Sequence, residues 1–209
     1  MLNAIHHQRK LAGWSGGEAF SYASGSFDAA TTVRQVRQSK REAVFLLGTA
    51  ADSVSFIQEA DRAGWHPFIF LSSSSVNPEI FKVPAAFDRR IFISFPTSPV
   101  DQSPEGIREF RAFSAKHSLP GTHLATQILA YSGAQIFVES LKRAGRQLTR
   151  ERFLEALEGL YEHPTGLTPP ISYGPNRRIG SLGAYVVTIN LKEGKFEPAS
   201  DFINLGRSK

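Results

Sequence analysis

Short apolar runs alternate with helix-like stretches through about the first 120 residues of this chain, and that alternation limits its fold more than any other feature. The apolar runs lie at residues 43–47, 68–71 and 91–95, and the stretches between them carry helix-capping residues. Strands that alternate with helices form βαβ units, in which neighbouring strands are parallel. The pattern therefore predicts an α/β fold with a parallel sheet flanked by helices.

Capping residues place the helices of this part. Asp28 precedes a helix that carries Val33 and Val36 on one face, and Thr49 opens a helix that ends at Gly64. Ser103 followed by Pro104 begins another helix.

The strands of this part are read from apolar and β-prone residues. Residues 43–47 are continuously apolar, which predicts a strand covered on both faces. Residues 19–23 predict one more strand before it, and the segment before Gly13 reads as the tail of a helix.

The second half of the chain has a different pattern. Residues 123–144 show helical apolar spacing, and Thr149 caps a shorter helix. Residues 184–191 alternate in polarity and return through the turn at Gly194, which predicts a hairpin. We therefore expect two parts, an α/β domain over 1–120 and returning helices with a hairpin over 121–209.

Composition excludes several classes of protein. The chain has 209 residues, 41% of them hydrophobic, a net charge of +5 and no cysteine. The hydrophobic content is typical of a globular chain, and no apolar run reaches the roughly 18 residues of a membrane span. Disulfides and thiolate metal sites are excluded. The basic residues are spread out in pairs at most, so nucleic-acid binding is not favoured. The amino terminus lacks the pattern of a secretory signal as written.

Catalytic and cofactor motifs are absent from the sequence. It has no dinucleotide fingerprint, no phosphate loop and no nucleophile elbow, and its histidines lack metal-ligand spacing. We therefore expect no catalytic residues, no metal and no cofactor.

Polar residues follow the predicted strands where each one ends. In open α/β sheets ligands bind outside the carboxyl ends of the strands. The candidate ligand-binding residues are therefore those that follow these strands: Thr49, Ala50, Ser72, Ser73, Ser74 and Thr97. The alternative is that their hydroxyls serve only as caps and turns.

In order, these elements resemble the branched-chain amino-acid type of ABC-transporter solute-binding protein, which has the type I periplasmic-binding-protein fold. The likeness rests on residues 26–28, 43–51, 60–65, 131–145, 149–160 and 166–187. It extends from about Gly16 onward and matches only the later portion of such a protein. The resemblance implies a partial chain that lacks the first lobe and the opening strand of the second, with the C-terminal helices and hairpin belonging to the partner lobe and the hinge.

The resemblance also implies a function. Such proteins trap a small polar solute in a cleft by lobe closure, pass it to an ABC permease and perform no chemistry; they are periplasmic. Here Ala50 lies where the family often has an aromatic side chain, and Ser73 lies near the position of an acidic partner for the solute's ammonium. A neutral, hydroxylated or anionic solute is therefore as compatible as an amino acid. The alternatives are an interaction or sensor module that keeps the fold without transport, and a small α/β enzyme.

A missing lobe would leave apolar surface exposed on the helix over 123–144. Leu129 and Phe137 lie on the face concerned. Exposed apolar surface favours association. We therefore expect self-association through this face and no insertion into a membrane.

Overall fold

The computed structural model describes residues 2–14, 17–23, 25–121 and 124–204. These described residues form six α-helices: α1 (Leu2–Leu11), α2 (Ala29–Gln38), α3 (Ala50–Arg62), α4 (Pro104–Lys116), α5 (Leu124–Ala144) and α6 (Arg150–Glu158). The strands are β1 (Ala43–Phe45), β2 (Phe68–Ser72), β3 (Ile91–Phe95), β4 (Gly183–Asn190), β5 (Lys195–Pro198) and β6 (Ile203–Asn204). Short 3₁₀ turns occupy Ser73–Ser75, Pro78–Lys82, Ala85–Phe87 and Pro99–Asp101. The predicted helix start at His123 lies outside the described residues.

The strands form one mixed sheet in the order β1-β2-β3-β4-β5, with β6 paired to β4. β1, β2 and β3 are parallel, and β4 runs antiparallel to β3 with Phe95 opposite Tyr185. The carboxyl ends of the parallel strands and the beginning of β4 therefore meet at one edge. The predicted hairpin is confirmed as β4 and β5, and it extends the sheet of the first 120 residues. The division into 1–120 and 121–209 stays a prediction.

One face of the sheet carries the main core. Inward side chains of the strands pack against α2 and α3, whose apolar positions recur at helical spacing. Fully buried members of this core are Val33, Phe56, Ile57, Ala60, Ile69, Ile91, Ile93 and Ile189. Burying each of the larger side chains contributes about 1.5–3 kcal/mol, so this face holds the elements in register.

The opposite face of the sheet is aromatic and partly open. Phe45, Phe70 and Phe92 stack in a row, with ring centroids 4.8 and 5.2 Å apart. Phe45 is 49% exposed and Leu47 is 40% exposed. The prediction that residues 43–47 are covered on both faces is wrong, because only one face of β1 packs against described helices.

Residues 19–23 form no strand, so that prediction is wrong as well. A strand needs a hydrogen-bonded neighbour, and among the described strands β1 pairs only with β2. Tyr22 instead packs on Phe27, with ring centroids 4.7 Å apart. This aromatic contact brings the segment to the start of α3.

The second half packs around α5. Its residues Ile128, Ser132, Ile136 and Ser140 are buried and follow one another at intervals of four. This row faces α6 and the segment around Leu160, Leu167 and Ile171. Among the described helices, none is long and apolar enough to cross a membrane.

Candidate functional site

The start of α3 lies at the carboxyl edge of the sheet and is fixed by a reciprocal cap. The Asp52 backbone N–H donates to Thr49 Oγ1 at 3.1 Å, and the Thr49 backbone N–H donates to Asp52 Oδ2 at 2.9 Å. This is a capping box, as the sequence predicts. Thr49 is exposed and Ala50 is half-buried. Thr49 Oγ1 accepts one hydrogen bond in the cap, so its own proton remains to be donated to another group.

Three serines at the end of β2 and just after it form a hydrogen-bonded chain that joins two strand ends. Ser75 Oγ donates to the Gly48 carbonyl at 2.7 Å. Ser72 Oγ lies 3.1 Å from Ser75 Oγ and 2.8 Å from Ser74 Oγ. Because each hydroxyl has one proton, the bond to Gly48 makes Ser72 donate to Ser75 and Ser74 donate to Ser72. Ser74, the exposed end of this chain, keeps an oxygen free to accept a bond.

Ser75 is the residue that sequence reasoning missed. It is 4% exposed, and it ties the end of β2 to Gly48, three positions after the end of β1. The run of four serines is visible in the sequence, but its pattern does not say which hydroxyl points inward. Ser73, by contrast, is half-buried and has no hydrogen bond to its hydroxyl among the described residues.

Tyr22 closes the site on the side of α3. Its hydroxyl donates to Asp52 Oδ2 at 3.3 Å. The pKa of the Tyr22 hydroxyl is raised, mainly because the group is partly buried and further because of the charge and the hydrogen bond of Asp52. A Cβ at position 48 would collide with this hydroxyl, so with any other residue at position 48 the tyrosine side chain would have to shift.

Thr97 lies apart from the other candidates. It is 7% exposed, and its hydroxyl donates to the Leu167 carbonyl at 2.8 Å and contacts Asp101 Oδ2 at 3.2 Å. Tyr185 donates to the other Asp101 oxygen at 2.6 Å. Burial, followed by the hydrogen bond to Asp101, raises the pKa of Tyr185 to about 12. In this conformation Thr97 fastens the end of β3 to the segment after α6.

The structure therefore brings five of the six candidates to one surface and turns Thr97 inward. That surface offers the Thr49 proton as a donor, the Ser74 oxygen as an acceptor and the Ser73 hydroxyl as both. Within the described ranges, no group of three histidine or acidic side chains is placed to hold a metal ion. His66 pairs with Asp61 at 2.9 Å, and it precedes β2, at the end of that strand opposite the serines. The arrangement is suited to hydrogen bonding with a polar solute.

Comparison with known proteins identifies the family of this chain. A family model described as periplasmic binding protein matches residues 9–195. The chain belongs to the periplasmic binding protein family. The matched range contains every candidate site residue. We found no match to this sequence among curated proteins.

Solved structures share the fold of this periplasmic binding protein. A branched-chain amino-acid ABC transporter protein from Thermus thermophilus, solved with bound valine, is 17% identical with a TM-score of 0.78; the match covers 95% of this chain and 55% of that one. A fatty-acid ABC transporter substrate-binding protein from Thermomonospora curvata is 21% identical with a TM-score of 0.75, covering 97% and 53%. A leucine-binding protein from Thermotoga maritima is 16% identical with a TM-score of 0.75, covering 98% and 56%. The chain thus spans about 55% of the length of these structures.

Proposed function

We propose that this chain is a solute-binding component of an ABC transporter and that it binds a small polar solute at the carboxyl edge of its sheet. The observation that carries the proposal is the hydrogen-bonded junction of Ser72, Ser74 and Ser75 with Gly48, beside the capped start of α3. This junction fixes the positions of hydroxyl groups that can still form hydrogen bonds, and it lies at the edge of the sheet where α/β folds bind ligands. Family membership supports the same function.

The chemistry of the edge is as compatible with a neutral, hydroxylated or anionic solute as with an amino acid. Ala50 supplies a methyl group and Ser73 a hydroxyl, so neither provides a charge for an ammonium group. The proteins that share the fold include one solved with bound valine and one that serves fatty-acid transport. The fold therefore does not determine which solute is bound; the side chains at this edge determine it.

The remaining parts of the proposal follow from the family. A permease of the ABC class receives the solute, the protein acts in the periplasm, and no bond of the solute is made or broken. The absence of a nucleophile paired with a base among Thr49, Ser73 and Ser74 supports a binding role.

A thermal melt with pooled amino acids, small carboxylates and sugars tests the proposal. A solute at about 100 times its dissociation constant adds roughly 2.7 kcal/mol of stability, and for a chain of this size each kcal/mol raises Tm by about 2–4 °C. We expect one pool to raise the Tm by about 5–10 °C.

Two substitutions in α3 test whether the solute that raises the Tm binds at the carboxyl edge. Ala50→Trp places an indole at the carboxyl edge and should abolish the shift. Arg62→Trp places the same group on the exposed, opposite end of α3 and should keep it. If no pool moves the melt of the wild-type chain, or if both variants respond alike, the proposed site is wrong.

A further inference from the structure

The described residues form apolar cores in two separate parts of the chain. The main core lies between the sheet and the helices α2 and α3. Two further clusters join α4, α5 and α6 to the segment that follows α6. Among the described residues, none belongs both to the main core and to these clusters. We call the first part, with β1–β6, α2 and α3, the sheet part, and the second part, with α4–α6 and residues 159–182, the helical part.

The chain passes between these two parts twice, and a side-chain hydrogen bond joins the two passages. Residues 96–103 lead from β3 into α4, and residues 159–182 lead from α6 back to β4. Thr97, which lies in the first passage, donates its proton to the Leu167 carbonyl in the second at 2.8 Å. Because Leu167 is fully buried in the helical part, this bond ties the end of β3 to that part.

Asp101 offers the Thr97 proton a second acceptor. Asp101 Oδ2 lies 3.2 Å from Thr97 Oγ1 and accepts the Ser98 backbone N–H at 2.8 Å. The other oxygen, Oδ1, accepts the hydroxyl of Tyr185 in β4 at 2.6 Å, which anchors the carboxylate to the sheet part. A hydroxyl has one proton, so Thr97 can give a full hydrogen bond to only one of its two acceptors at a time.

We propose that Thr97 is a latch, whose single proton either joins the sheet part to the helical part or releases them. In the observed conformation the proton goes to Leu167, the nearer acceptor, and the two parts are joined. When they separate at this point, the proton turns to Asp101 and the Leu167 carbonyl gains access to water. Thr97 is 7% exposed, and a buried hydroxyl without a partner would oppose that separation. Asp101 removes this obstacle, so that opening breaks one hydrogen bond and leaves the Thr97 hydroxyl paired.

Distances between spin labels on the two parts test the latch, and the natural absence of cysteine leaves only the introduced labels. Gln38→Cys in α2 and Glu155→Cys in α6 place one label on an exposed position of each part. Double electron–electron resonance is measured on the labelled chain mixed with an excess of unlabelled chain, so that only distances within one molecule are recorded. We expect one narrow distance when Thr97 is present.

Thr97→Val removes the proton and keeps the shape of the side chain. It should raise the population of separated molecules about three- to tenfold, because one hydrogen bond shifts an equilibrium by that much, and the distance distribution should broaden. Thr97→Ser keeps the proton and should keep the narrow distribution. Thr188→Val is the matched control: Thr188 is 9% exposed and donates to the Ile91 carbonyl at 3.1 Å, but both residues belong to the sheet part. It should lower stability to a similar extent and leave the distance unchanged.

Tyr185→Phe tests the part played by Asp101. Without the bond from Tyr185, the carboxylate has one donor fewer and competes better for the Thr97 proton. The distance distribution should therefore broaden when Thr97 is present. In the Thr97→Val chain there is no proton to compete for, so Tyr185→Phe should broaden the distribution no further.

Four results would overturn the latch. A distribution that stays narrow in Thr97→Val would show that the hydroxyl does not hold the parts together, and equal broadening in Thr188→Val would indicate general loosening. Broadening in Thr97→Ser would assign the effect to the methyl group and not to the proton, and this variant decides the matter even if Thr97→Val does not fold. Additive broadening by Thr97→Val and Tyr185→Phe would show that Asp101 does not compete for the proton.

Discussion

Ser75→Ala removes the link between two strand ends without altering the exposed part of the site. The Ser75 hydroxyl donates to the Gly48 carbonyl at 2.7 Å and receives the bond from Ser72 at 3.1 Å. At 4% exposure its hydroxyl has little access to water. The substitution leaves the Gly48 carbonyl with only partial access to solvent and leaves the Ser72 proton without its acceptor.

The expected loss of stability is about 1–2 kcal/mol. A net contribution of about 0.5–1.5 kcal/mol is usual for one hydrogen bond, and leaving a buried partner unsatisfied costs about 1–3 kcal/mol. Gly48 is half-buried, so water restores part of the loss. For a chain of this length the change lowers Tm by about 2–8 °C.

Urea unfolding followed by circular dichroism measures this change directly. Ser74→Ala is the matched control, because Ser74 is exposed and bonds only to the Ser72 hydroxyl at 2.8 Å among the described residues. It should change stability by less than about 0.5 kcal/mol. Equal effects of the two substitutions, or no effect of Ser75→Ala, would show that the hydroxyl link does not hold the strand ends together.

Four other substitutions have defined outcomes. Thr97→Val should cost about 1–2 kcal/mol in urea unfolding, because the Leu167 carbonyl loses its donor at 2.8 Å; it should leave any solute-induced Tm shift intact, and loss of that shift would return Thr97 to the binding site. Gly106→Ala should cost about 1–3 kcal/mol, because its Cβ would lie 2.8 Å from the Gly166 carbonyl carbon. Gly133→Ala, with nothing within 4 Å of its Cβ, should stabilise the chain by about 0.5–1 kcal/mol, and a similar loss for both glycines would contradict the close packing assigned to Gly106. Tyr185→Phe should flatten the alkaline fall in stability: the pKa of Tyr185 is raised to about 12 in the folded chain and is about 10 when unfolded, so its contribution is complete below pH 10 and is lost as the pH rises towards 12. An unchanged slope of unfolding free energy between pH 10 and 12 would rule out this assignment.

Local signals in the sequence predicted most of the elements. Asp28 accepts from the Thr31 backbone N–H, Thr49 and Asp52 form their capping box, and Ser103 accepts from the Gly106 backbone N–H. These caps involve residues within three positions of each other, so a sequence pattern contains all the information that they need. The hairpin around Gly194 is predictable for the same reason.

Predictions failed where the outcome depends on a distant neighbour. The segment 19–23 has strand-like residues, but no described strand pairs with it, and Tyr22 contacts Phe27 and Asp52 instead. The strand at 43–45 has an apolar sequence typical of burial on both faces, yet Phe45 is half exposed. The residues of neither segment indicate which element will pack against that segment.

The sequence by itself determined the alternation of strands and helices, the caps and the group of hydroxyl residues that follows the strands. Only the tertiary structure decided how those hydroxyls are used. Ser75 turns inward to Gly48, 27 positions away, and Thr97 to Leu167, 70 positions away. Among the described residues the Ser73 hydroxyl has no hydrogen bond, and the Ser74 hydroxyl bonds only to Ser72. A hydroxyl can donate its one proton to a cap, a distant carbonyl or a ligand, and the choice among them is made by the backbone that folding brings within 3 Å.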